Sequence, residues 1–464
     1  MGVAVPFIAT LGYVWVDTFR PQEVAYVLLK QMPVSLIMGG TAIGGYFLVD
    51  RRSPPPVTLA QCLIFLMAIW VTATIIWAEV PAAAWTKWDW AFKTLVFGSF
   101  IPLVIRSRVQ IEAFIQTYVF ALAANIIPFG LKTAISGGGY GVNLGLSQGN
   151  SGLAEGGLLS TICLMAVPLC LFLGKHSLLM PKWKLVPLGY LGIAGLAVIT
   201  AIGTYERSAL VGIVVLGGYM FIRSRRKVLF GTLAVCIAVG MIYATSGAWN
   251  KRISSISEFQ TENSALTRLL VWQWTFNYSL SHPLGGGFEA YRVGTIVLPP
   301  DASNPGGLIV NGRAYHSCYF EVLGEQGFPG LAIFLIAVGS SFLSLLKLAR
   351  RAKRDPELIW IADLSDALQA GIAVFMTCGA FVGIAFQPMI WFFVALSISA
   401  RAYMKRIERA ALVTSPSSWR LGRGTAPAAL PGASPDPGPL PAGRAGVPNW
   451  RHRALTPGAN GQPR

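Results

Sequence analysis

The chain is short of charge. Only 12% of its 464 residues are Asp, Glu, Lys or Arg, about half the share in a soluble domain. Histidine is scarcer still, with four copies. The six cysteines form no CxxC pair, and all but Cys318 (Cys62, Cys163, Cys170, Cys236 and Cys378) sit inside apolar runs. That excludes a disulfide framework and a cysteine-based zinc site. No GxSxG, Walker loop or metal-spaced cluster occurs, and no period of about 20–50 residues repeats, which excludes a solenoid. There is no cleavable signal with a small-residue processing site, so the first apolar run is expected to stay as an anchor.

Apolar sequence is abundant: 54% of residues, with a mean hydropathy of +0.56. Many runs approach the roughly 20 residues needed to cross a bilayer. The expected fold is an all-α polytopic membrane protein with twelve segments, near 2–17, 33–49, 57–78, 89–105, 110–129, 156–174, 185–203, 208–222, 228–245, 328–347, 366–385 and 387–403. The net charge of +17 invites a nucleic-acid reading, but the basic residues lie in short clusters between apolar runs. Alternate connections hold 26 of the 37 Lys and Arg residues: Arg51–Arg52, Arg106/Arg108, Lys175/Lys182/Lys184, "RSRRK" at 223–227, "KLARRAKR" at 347–354 and everything from Arg401 on. The positive side is expected to be cytoplasmic, with both termini inside.

The other side then carries "LKTAISGGGYGVNLGLSQGNSGLAEG" at 130–155, the short connection "TYERS" at 204–208 and a long loop from about 246 to 327. The first 410 residues form the membrane domain. The Pro/Ala/Gly/Arg-rich tail 411–464 holds almost no large apolar residues and is expected to be disordered.

Within the long loop, "TENSALTRLLVWQWTFNYSLSHPLGGGFEAYR" reads as a capped helix stopped by His-Pro and Gly-Gly-Gly. Arg268 sits in that helix either as a snorkelling arginine or as an anion clamp. Gly285, Gly286 and Gly287 serve as an anion-binding nest or as a plain turn, with Arg292 closing the loop. In "TYERSALVG", Arg207 lies at a helix mouth beside Glu206, as a boundary residue or a functional charge. In "RAYHSCYFEVLGEQG", His316 falls at a helix start, with Phe320 and Leu323 on one face. There it is a cap, or a histidine kept neutral by the helix dipole and so able to act as a general base. Arg207, Arg268, Arg292, Arg313 and His316 all fall on one side of the membrane. Arginines with one neutral histidine suit an anionic leaving group and an acceptor hydroxyl, because guanidinium forks neutralise phosphate without a metal.

"TYERSALVG", "SALTRLLVWQWTFN", "HPLGGGFEAYR" and "YHSCYFEVLGEQGFPGL", in this order and spacing, resemble the O-antigen ligase and polymerase superfamily. "FRPQE" and "GNSGLAEGGLL" resemble its subgroup of O-glycosylation ligases associated with exosortase A. The resemblance spans roughly residues 1–400. It implies a glycosyltransferase-C type fold with a periplasmic loop between the ninth and tenth helices. It also implies transfer of a glycan from undecaprenyl diphosphate to an acceptor hydroxyl (on protein, lipid or glycan) in the bacterial inner membrane, with no metal and no cofactor. The family's two arginines fall on Arg207 and Arg268 and its histidine on His316. Arg292, Arg313 and the three glycines are expected to bind substrate. One departure is Glu206, where relatives often carry serine. A polymerase of the same superfamily is the alternative. A transporter would need mid-membrane broken helices and repeat symmetry, and a scaffold would give no reason for the charges to gather.

Overall fold

The computed structural model describes residues 4–21, 32–50, 54–55, 57–136, 155–223, 260–298, 300 and 307–414. Twelve α-helices are found there: α1 (Ala4–Phe19), α2 (Val34–Val49), α3 (Leu59–Ala73), α4 (Pro81–Val104), α5 (Arg108–Ser136), α6 (Gly156–His176), α7 (Leu185–Gly203), α8 (Arg207–Arg223), α9 (Gln260–Ser281), α10 (Cys318–Ala352), α11 (Ile359–Cys378) and α12 (Pro388–Thr414). Among the described residues six helical stretches are long and apolar enough to cross a membrane, those at 59–77, 108–135, 156–176, 185–203, 318–352 and 356–378; α1 and α2 are apolar but shorter. The expected segment 228–245, the glycine-rich 137–154 and the tail from 415 on lie outside the described residues. The expected segment 366–385 is displaced. Helix α11 ends at Cys378, capped by Gly379, and 379–387 form the connection to Pro388.

Local chemistry sets the helix ends. Thr58 Oγ1 accepts the Gln61 amide at the start of α3, and Pro81 opens α4, where a missing N–H costs nothing. Helix α6 is the central one: 94% of its apolar window is buried, against 28% for α7. It packs against α7, α8 and α11, while α10 lies between α3 and α11. Trp391, Phe392 and Phe393 of α12 fill the middle together with Phe114. A small departure from an all-helical fold is an antiparallel hairpin, β1 (Thr295–Leu298) with β2 (Leu308–Asn311), in which Thr295 pairs with Asn311 and Leu298 with Leu308. Its "TIVL" and "LIVN" segments are β-branched and aliphatic, the residues that suit a pleat.

Connections grouped by charge also meet in space. At one end, Arg108 Nη2 donates to the His176 carbonyl (3.2 Å), its guanidinium covers Trp360 (4.7 Å), His176 contacts Asp363 (2.6 Å), and Arg406 donates to the Arg106 carbonyl (2.6 Å). At the other end, the Glu79 amide donates to Gly286 O (2.9 Å) and the Cys318 amide to Gly379 O (2.7 Å).

That second end is stitched around a break in α10 at Gly327, where φ is 68° and ψ −170°. Trp70 Nε1 donates to the Gln326 carbonyl (2.8 Å), Thr74 Oγ1 to Gln326 Oε1 (2.9 Å) and Trp77 Nε1 to the Gly285 carbonyl (3.0 Å). A Cβ on Gly327 would run into the Pro283 carbonyl and the Gly285 amide. Its dihedrals are open essentially to glycine alone, a strain of about 1–3 kcal/mol for other residues. Gly327→Ala is therefore expected to lower the thermal midpoint of the purified, detergent-solubilised protein clearly. Gly339→Ala, further along α10 with no neighbour near the added methyl, should leave it unchanged or slightly raised.

Candidate functional site

Helix α9 and the turn before α10 build the pocket. Thr267, Arg268 and Val271 come from α9, and Arg313 and His316 from the turn. Together they line a cavity of about 60 Å³. Arg268 and His316 are half-buried and Arg313 is exposed. Neither arginine has a hydrogen bond or ion pair among the described residues, though Arg268 lies near enough to Glu206 to act on it electrostatically.

His316 is held in a strained shape. Its φ is 49°, the left-handed region, which histidine visits more than most residues but at a cost. Both neighbours are fixed. Tyr315 is buried, its carbonyl accepts Trp272 Nε1 (2.8 Å), and its ring meets Tyr291 edge-on at 5.5 Å. Gly324 leaves room for the Tyr315 hydroxyl, where a Cβ would collide. Trp272 also stacks on Phe320 at 5.2 Å. On the other side Ser317 is the N-cap residue of α10 and its carbonyl accepts the Glu321 amide (2.8 Å). His316 thus sits one residue before the cap rather than in the first turn. Of the non-glycine residues with positive φ among those described, Arg20, Tyr205, Glu289 and His316, the last three lie in the segments that form this end of the bundle.

The pKa of His316 is pushed down to about 4, first by burial and then by Arg268 and Arg313. The imidazole is neutral at pH 7, as the sequence suggests, but burial and two guanidiniums hold it there. Glu206 has its pKa raised by burial, opposed by Arg268, so Arg268 sits between a histidine and a carboxyl group.

The other expected site residues are placed differently. Arg207 is the first residue of α8 and exposed, with no hydrogen bond or ion pair among the described residues. A cation at the positive end of a helix dipole is electrostatically unfavourable. Arg292 is exposed and pairs with Glu289 (Nε to Oε2, 2.9 Å). Gly285, Gly286 and Gly287 do not line the pocket. The amides of Gly286 and Gly287 donate to the Gly324 and Glu325 carbonyls (3.0 and 2.9 Å), and that of Gly285 to His282 O (2.9 Å). The turn is therefore pinned against α10 and its N–H groups are spent. Positive φ at Gly285 and Gly287 permits this close approach.

Sequence reading missed the charges beneath the pocket. Lys87 Nζ lies 2.7 Å from Glu321 Oε1, 2.8 Å from Glu325 Oε1 and 3.9 Å from Glu289 Oε1. Glu325 is fully buried and its Oε2 has no partner. Two signals were available: a lysine between tryptophans in "WTKWDW" at the mouth of a helix, and glutamates four apart in "EVLGE" just before an apolar run.

Residues 157–335 match the family model described as O-Antigen ligase, a segment that contains both arginines of the pocket, Arg207 and His316. This part of the chain is an O-antigen ligase domain by that match, which supports the O-antigen ligase superfamily. Residues 1–178 match a further model, a family of unknown function (DUF5935). No curated protein matches the chain. An O-antigen ligase-type membrane protein acts in joining glycans, as ligase or polymerase, with a lipid-linked donor and an acceptor.

Because the two arginines depress His316, removing either should raise it. Arg268→Gln and Arg313→Gln are each expected to shift the His316 titration midpoint upward from about 4, read by NMR of histidine-labelled protein in nanodiscs. A midpoint unmoved in both variants would mean that the guanidiniums do not face the ring.

Proposed function

We propose that the protein is a metal-independent glycan ligase of the bacterial inner membrane. It transfers a saccharide from undecaprenyl diphosphate to an acceptor hydroxyl at the periplasmic end of the bundle. The observation that carries this reading is the pocket in which Arg268 and Arg313, without partners among the described residues, line one cavity with neutral His316.

In this mechanism His316 takes the proton of the acceptor hydroxyl. The acceptor oxygen bonds to the anomeric carbon as the bond from that carbon to the phosphate oxygen breaks, and the electron pair leaves with the diphosphate. Arg268 and Arg313 stabilise the growing charge, with Arg207 joining from the start of α8. A base with a pKa of about 4 is weak, but the donor itself corrects this. A diphosphate between Arg268 and Arg313 offsets the two guanidiniums and raises the imidazole pKa from about 4 toward the working pH, where a general base is most effective. The same anion favours the protonated form of Glu206, so this carboxyl group, present where relatives often carry serine, does not oppose binding. "FRPQE" and "GNSGLAEGGLL" favour the exosortase A-associated subgroup. A polymerase differs only in using a second lipid-linked glycan as acceptor, and a gene deletion that leaves single-repeat instead of long chains would favour it.

Arg207→Lys and Arg268→Lys keep the charge but lose the two-pronged donor, so each is expected to reduce transfer substantially at equal protein levels. His316→Ala should lower it by roughly 10²–10⁴-fold, the usual worth of general acid–base catalysis. His282, exposed and stacked on Tyr278 at 4.2 Å, should tolerate alanine. EDTA should have little effect, and strong inhibition by a chelator would require a divalent ion in the reaction. Blotting for transferred glycan in cells reads all of these; normal transfer by His316→Ala would remove the assigned base.

Orientation is tested separately. Reporter fusions after Trp249 should report periplasm and fusions after Arg409 cytoplasm. The reverse pattern would put the pocket on the wrong side for this donor.

A further inference from the structure

We infer that Lys87 is a positioning residue for the transfer reaction, acting through Glu289, Glu321 and Glu325 on the turn that holds His316. This rests on the reading of His316 as the base. Lys87 does not line the pocket; the cations facing His316 are Arg268, from α9, and Arg313, from its own turn. Its influence runs through two paths that end on either side of the histidine.

One path goes upstream. Glu289 Oε1 lies 3.9 Å from Lys87 Nζ, and Glu289 Oε2 accepts the Tyr291 hydroxyl at 2.8 Å. Tyr291 then meets the ring of Tyr315, the residue before His316, at 5.5 Å. The other path goes downstream. Glu321 binds Lys87 at 2.7 Å with one oxygen and accepts the Ala385 amide at 3.0 Å with the other. Its own amide closes the first turn of α10 on the Ser317 carbonyl at 2.8 Å. Glu325 Oε1 joins the paths, because it accepts both Lys87 (2.8 Å) and the Glu289 amide (3.0 Å).

Three carboxylates around one ammonium stay together only while the ammonium is there. Without it Glu289, Glu321 and Glu325 repel one another, and the two anchors of His316 move apart. A residue in a left-handed conformation persists only where its surroundings impose it. Released, His316 would relax to an ordinary φ and open to solvent.

The test uses the full chain in nanodiscs, with NMR of labelled histidine to follow the His316 titration and blotting to follow transfer per folded molecule. Lys87→Met with Glu325→Gln removes the ammonium together with the most buried of the acids it holds, so that no buried carboxyl group is left facing the lost lysine at Glu325. In that protein the His316 midpoint should rise from about 4 toward the ordinary 6.5. Transfer should fall by about 10²-fold, the cost of a misplacement of about 1 Å. Lys87→Arg, which keeps the charge, should restore part of both. Lys93→Met, which breaks an exposed pair with Asp89, should change neither. Should the double variant not fold, Tyr291→Phe cuts the upstream path without touching a buried charge, and the midpoint should again rise. An unmoved midpoint in the folded double variant or in Tyr291→Phe overturns the inference. A risen midpoint with full transfer instead upholds the tie between Lys87 and His316 and removes His316 as the base.

Discussion

One ammonium group organises the end of the bundle where the pocket lies. Lys87 gathers Glu289, Glu321 and Glu325, side chains exposed by 17, 8 and 0%. Carboxylates so little exposed are costly unless a cation and hydrogen bonds compensate them, and removing one partner of such a set typically costs about 3–5 kcal/mol. The compensation fixes geometry. Lys87 comes from α4, Glu321 and Glu325 from α10 and Glu289 from the glycine turn, while Glu321 also holds the connection between α11 and α12 through Ala385. Lysine suits the task because its ammonium is compact and its three donors can point at three different groups.

Cations at this end fall into two kinds. Lys87 and Arg292 are saturated by carboxylates. Arg268 and Arg313 make no hydrogen bond or ion pair among the described residues and lie beside a histidine whose proton they repel. A fold that needed only stability would pair them as it pairs the others. Two guanidiniums with no hydrogen bond or ion pair among the described residues, beside a half-buried neutral imidazole, form an arrangement suited to an anion.

The helical architecture was readable because hydropathy and charge alternation act along the chain: a helix must hide its backbone in lipid, and lysines and arginines collect on one side. The same local rules gave α9 and its stop at His282–Pro283. Segment edges slipped where the decisive contact is distant, as at Cys378, where the helix ends because Gly379 O accepts the Cys318 amide from another element. At the pocket, Arg268, Arg313 and His316 line one cavity. The glycine turn went elsewhere, since its amides are engaged by carbonyls of α10 whose positions no local pattern records. The Lys87 cluster escaped for the same reason: the lysine lies 234 and 238 residues from Glu321 and Glu325, and each alone reads as an interfacial charge.

Strain and saturation are linked. Tyr205, Glu289 and His316 all take left-handed conformations without being glycine, and they stand near Arg207, at the Lys87 ion pair and in the pocket itself. Such strain survives only where surrounding contacts over-determine the backbone. Here they do so through the spent glycine amides, the Trp272 bond to Tyr315 and the carboxylates on Lys87. The ion pairs and pinned turns of this end hold the strained backbone at His316 beside two arginines that make no ion pair among the described residues.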